Sequence, residues 1–114
     1  MIYKYTKEFK VAATGLLLEI VQNKESDKKQ KYYKLFQKEL NMLSSEFENI
    51  FSLLLNKEIN VDERVQLIVK ELDNHRHEIM HFLMMLNRCI ILDGCDMESY
   101  KRFENIRDTF LAKL

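Results

Sequence analysis

Proline is absent from this 114-residue chain and glycine occurs only twice. That removes the usual punctuation of β-hairpins and of the glycine-rich loops that cradle phosphates. Charge of one sign is lacking too. Lys and Arg number 18 against 18 Asp and Glu, so no bulk field gathers polynucleotide or coats a membrane. The two cysteines, Cys89 and Cys95, are too few and too close for a disulfide framework, and a reducing cytoplasm is the expected compartment. No apolar run is long. Val11 to Leu18 faintly resembles a signal-peptide core, but Glu19 interrupts it and it is too short to span a bilayer. No membrane partner is expected.

What remains is 46% apolar residues in a background of strong helix formers, Leu, Lys, Glu and Met. The expectation is an all-α, up-and-down bundle of four to five helices, one domain over residues 1–114. A first helix is predicted from about Tyr3 to about Val21, with Tyr5, Phe9, Ala12, Ala13, Leu16, Leu17 and Ile20 at helical spacing. After a polar break, Ser26 reads as an N-cap. One long helix should follow, because Tyr32, Phe36, Leu40, Leu43, Phe47, Ile50 and Leu54 alternate three and four apart. Asn60 then caps a third helix, with Glu63 three residues on. A break at Asp73-Asn74-His75 should separate it from a fourth, running from about His75 to about Leu92. Asp93-Gly94-Cys95 reads as a glycine C-cap. Asp96 caps the last helix, with Tyr100, Phe103, Ile106, Phe110 and Leu111 facing inward.

The fourth helix carries the chemistry. From Ile79 to Leu86 the chain reads I-M-H-F-L-M-M-L, with His81 its one polar residue. Burying a polar group without a partner costs roughly 1–3 kcal/mol, so a histidine there points to a hydrogen bond, a cleft or a reaction. At about 100° per residue, Arg76 falls in the core stripe with Leu72, Ile79 and Leu83. His81 falls opposite, on a face shared with His77, Met84, Met85 and Arg88. A far face of Met and His rather than Lys and Glu is expected to be covered, and a second copy covers it most economically. A homodimer interface of Met80, Met84, Met85 and Arg88 is therefore expected.

Arg76-His77-Glu78-Ile79-Met80-His81, with Phe82 behind it, resembles the signature of the HEPN family: Arg, a polar residue, three more, then His. HEPN domains are small helical units of ribonuclease toxins and antiviral defence systems, and the helix layout is similar in outline. The resemblance implies a dimer whose paired motifs cut RNA without metal or any other cofactor. Arg76 would hold the scissile phosphate, His81 would exchange a proton with a ribose hydroxyl or the leaving oxygen, and His77 would orient the same group. A catalytically silent relative, bound to an antitoxin or regulator protein, is an equally direct implication.

Arg76-His77-Glu78 before a Leu-rich helix also resembles the phospho-acceptor helix of quorum-sensing and sporulation-type histidine kinases, with His77 as acceptor. There the usual acid is Asp and the usual residue at the His81 position is Asn. A third reading is a non-catalytic interaction protein of immunity or phage-encoded type. Metal binding is not expected. His77 and His81 stand four apart, yet three histidines in all cannot furnish a di-iron or hemerythrin-like set. Lys28, Lys29, Lys31, Lys34 and Lys38, interleaved with Tyr32 and Tyr33, form a basic streak that reads first as a solvated helix face and second as an RNA-steering strip. Cys89 reads as a core residue.

Overall fold

Three of the described helices begin where a side-chain oxygen caps the backbone. A computed structural model describes residues 5–22, 24, 26–55, 57–58, 60–91 and 96–114. Among them six helices and no strand occur: α1 (Lys7–Val21), α2 (Ser26–Glu39), α3 (Ser44–Leu54), α4 (Val61–Glu71), α5 (Arg76–Ile90) and α6 (Met97–Ala112). Thr6 caps α1 by accepting from Phe9 N at 3.1 Å. Asn60 accepts from Glu63 N at 3.0 Å, and Asp96 from Ser99 N at 2.8 Å. Each such cap satisfies one orphan donor and contributes about 1 kcal/mol. Ser26 is the first residue of α2 rather than the residue before it. The Asp93-Gly94-Cys95 cap lies outside the described residues.

The long second helix of the sequence reading is in fact two. Asn41 adopts a left-handed φ of 53°, Met42 N donates to Gln37 O at 2.8 Å, and Asn41 N donates to Lys38 O at 3.2 Å. These six-to-one and five-to-two bonds close α2 in a Schellman motif, with asparagine where glycine is commoner. The chain turns, and Leu43, expected in the core, stands 74% exposed. The same device ends α4. Asp73 and Asn74 have φ of 53° and 57°, with Asn74 N donating to Val69 O and Asp73 N to Lys70 O, both at 3.0 Å. This second break falls where the polar cluster 73–75 placed it. The described residues therefore form six helices, against the four to five expected.

α1 is the centre. Phe9, Ala12, Ala13, Leu16, Leu17, Ile20 and Val21 are all buried, on more than one side, and α1 packs against α3, α4, α5 and α6. Gly15 faces α4, where a Cβ would stand 3.0 Å from Arg64 Nε. Buried residues from all six helices join in one cluster. Phe82 stacks edge-on against Phe9 at 5.5 Å and leans on Phe110 at 5.9 Å, so α5 is pinned to α1 and α6 by aromatic contact.

Charge pairs clasp the periphery. Lys10 meets Glu46 at 3.1 Å, Arg88 meets Glu39 at 3.2 Å, and Lys113 meets Asp62 at 3.1 Å. Lys24 pairs with Asp96, joining the α1–α2 connection to the start of α6. Surface pairs of this kind contribute roughly 0–1 kcal/mol each, so they orient helices more than they stabilise them. No helix among the described residues is long and apolar enough to cross a membrane.

Candidate functional site

The left-handed pair Asp73-Asn74 decides where the motif goes. His75 is the N-cap residue of α5, and its Nδ1 donates to Leu72 O at 3.1 Å. That bond spends the His75 side chain on closing the α4–α5 corner. Arg76 is then the first helical residue, at the rim of the bundle, and it is exposed. This corrects its expected place in the core stripe. The helical angle is right, but the core begins one turn later, at Ile79.

His77 and His81 are exposed as well. Four residues apart on one helix, their β-carbons are neighbours at about 5–6 Å. Arg76 and His81 are about 140° apart around the helix axis at 3.6 residues per turn. Arg76 stands on the α6 edge and His81 on the α2 edge, near Arg88. One chain therefore does not gather the guanidinium and the second imidazole on a single face. Among the described residues, none of the three side chains makes a hydrogen bond or ion pair, and none lines the groove between α5 and α6. No group of three His, Cys, Asp or Glu among the described residues could hold a metal ion.

Between those two edges lies the exposed stripe of α5. Met80 is 41% and Met84 60% exposed. They open onto a shallow groove of about 220 Å³ between α5 and α6, floored by Leu83 and Phe103 and walled by Asn87, Tyr100 and Arg107. Arg107 is held by Asp108 at 3.2 Å and Glu104 at 3.7 Å. The other two expected interface residues lie elsewhere. Met85 is 3% exposed, with the Cys89 thiol donating to its sulfur at 3.9 Å. It packs inside because its angle carries it past the exposed stripe toward α2. Arg88 is exposed but reaches back to Glu39 of α2.

Tyr100 and Leu111, expected inside, are partly exposed instead. Met97, Tyr100, Arg107 and Leu111 sit three, seven and four apart on α6, one stripe beside the buried Phe103, Ile106 and Phe110. The sequence reading missed Tyr100 and Arg107 as groove walls, although that adjacent spacing was the available signal. Cys89 is buried, and burial first, then the Glu39 carboxylate, pushes its thiol up to about 12. It is no nucleophile at neutral pH.

Comparison of the chain with protein-family models, with curated proteins and with solved structures found no match.

Proposed function

We propose that this chain is a helical interaction protein that pairs with a second copy of itself through the open face of α5 and α6. The observation that carries this reading is the Met80–Met84 stripe, left exposed beside an apolar groove. Methionine suits such a surface because its unbranched, polarisable side chain repacks against a partner. A two-fold pairing brings each stripe against its own copy, and a formal net charge of zero sets no repulsion against it.

One observation favours a second reading on the same surface. Arg76 and His81 flank the methionine stripe and are both exposed, so pairing across it would bring the arginine of one copy toward the histidine of the other. That is the composite arrangement the HEPN resemblance implies for metal-independent RNA cleavage. Sedimentation equilibrium tests the first reading: a dimer is expected, and a monomer at hundreds of micromolar would refute both. Incubating the dimer with RNA in EDTA tests the second. Cleavage lost in both Arg76→Ala and His81→Ala supports it, and no cleavage by the intact dimer leaves the interaction protein alone.

A further inference from the structure

Methionine is divided between two environments. Among the described residues, Met42 and Met85 are 7% and 3% exposed, whereas Met80, Met84 and Met97 stand open. All three open ones belong to α5 and α6. On α5 the division follows direction. Its inward side is mostly hydrocarbon, with Ile79, Phe82, Leu83, Leu86 and Ile90 buried. The two sulfurs on that side, those of Met85 and Cys89, lie 3.9 Å apart and are closed to solvent. The outward line is His77, Met80, Met84, Asn87 and Ile91. It steps by three and four and holds no Lys, Arg, Asp or Glu.

Leucine, close to methionine in volume and used throughout the core, would present the same apolar surface at positions 80 and 84. What sets the thioether apart is chemistry. It is an apolar group that reversible oxidation makes polar.

We infer that Met80 and Met84 are a peroxide-sensitive switch on the pairing face, and that their oxidation to sulfoxides releases the two copies. The inference rests on the pairing through α5 and α6 proposed above. A lone pair on either sulfur attacks one oxygen of hydrogen peroxide. The S–O bond forms as the O–O bond breaks, and the proton on the attacked oxygen passes to the departing hydroxide, which leaves as water. The sulfur loses two electrons and the peroxide gains them. The sulfoxide then places a polar group where pairing needs apolar surface, and burying it without a partner opposes association. Because the dimer exchanges with single copies in which both sulfurs are open, oxidation acts on the single copy and withdraws it from pairing. Reduction by two thiols returns the sulfide, with the oxygen leaving as water and the thiols joined as a disulfide. The fold itself is spared, since Met42 and Met85 are buried.

The test uses the full chain carrying Cys95→Ser, so that a thiol at that position does not compete for peroxide. Hydrogen peroxide is added until peptide mass mapping finds one added oxygen on each of Met80 and Met84. The chain should keep its helical circular dichroism. Its dissociation constant in sedimentation equilibrium should rise at least about 30-fold, the loss of one methionine's cover in each copy. Methionine sulfoxide reductases A and B, one for each sulfoxide epimer, should restore pairing in the presence of dithiothreitol. Met80→Leu/Met84→Leu should pair as before and no longer respond to peroxide, whereas Met97→Leu should respond like the parent. A monomer at hundreds of micromolar before any peroxide would overturn the pairing and the inference with it. A dimer that survives oxidation of both sulfurs, or one that peroxide still separates in Met80→Leu/Met84→Leu, would overturn the inference alone.

Discussion

Replacing Met84 by Asp should separate the proposed dimer without disturbing the fold, and the structure sets the size of the effect. Fully burying a Met side chain is worth about 1.5–3 kcal/mol. With 60% of Met84 and 41% of Met80 still open, complete cover would add about 1–2 kcal/mol from Met84 and about 0.6–1.2 kcal/mol from Met80 per copy. A two-fold interface counts each twice. Losing Met84 therefore removes about 2–4 kcal/mol from association, and desolvating the new carboxylates adds to the loss. At 1.4 kcal/mol per decade, the dissociation constant rises roughly 30- to 700-fold. Sedimentation equilibrium over a range of concentrations reads this directly. Because Met84 makes little contact within its own chain, the unfolding midpoint of the monomer should move by no more than about 0.5 kcal/mol equivalent. A dimer that persists unweakened in Met84→Asp refutes the reasoning, as does a variant that loses association only because it unfolds.

Other consequences can be checked on the same protein. Gly15→Ala should stabilise the chain by about 1 kcal/mol, the helix-interior gain over glycine, when Arg64 is also changed to Ala. With Arg64 present the gain should fall to about half, because the new Cβ would meet Nε at 3.0 Å and Cδ at 3.2 Å; equal gains in urea titrations of both backgrounds would show that the two residues do not touch. Cys89 should resist a thiol reagent in a Cys95→Ser background until denaturant is added, since burial holds its thiol at about 12; rapid labelling of the native protein would contradict this. Asp96, held at about 2 chiefly by the Lys24 ammonium and then by Ser99 N–H, has a folded pKa below its unfolded value of about 3.9. Its contribution is thus complete above that value and lost as pH falls toward 2. Asp96→Asn keeps a capping oxygen, so its melting-temperature deficit against wild type should shrink to nothing over that interval. A deficit constant down to pH 2 would mean that the ion pair does not contribute.

Local chemistry was the legible part of this fold. Asn60 and Asp96 cap their helices because a side-chain oxygen at the right offset needs no tertiary partner, and Phe9, Leu16 and Ile20 are buried because their spacing admits only one face. The α2–α3 break was hidden because Leu40, Phe47 and Ile50 keep helical spacing across it and Asn41, not glycine, takes the left-handed turn. Only Leu43, thrown outward, betrays the change of direction. In α5 the angle placed Arg76 in line with the core stripe, but angle alone does not say how far the core reaches along the axis, and Arg76 lies one turn beyond it. Met85 was misplaced by angle itself: it stands past the open stripe and is buried. Whether Arg76 and His81 meet depends on a second chain, and no periodicity within one chain carries that information.

The placement of α1 has a consequence for how the protein is made. The helix that emerges early from the ribosome is the one whose sides are covered last, since α4 and α6 supply much of its packing. At about 5–20 residues per second, its apolar surface waits on the order of 5–20 s for Phe103, Ile106 and Phe110 to arrive. During synthesis, Leu16, Leu17 and Ile20 are therefore open to holdase chaperones and to neighbouring nascent copies, long before the finished molecule hides them.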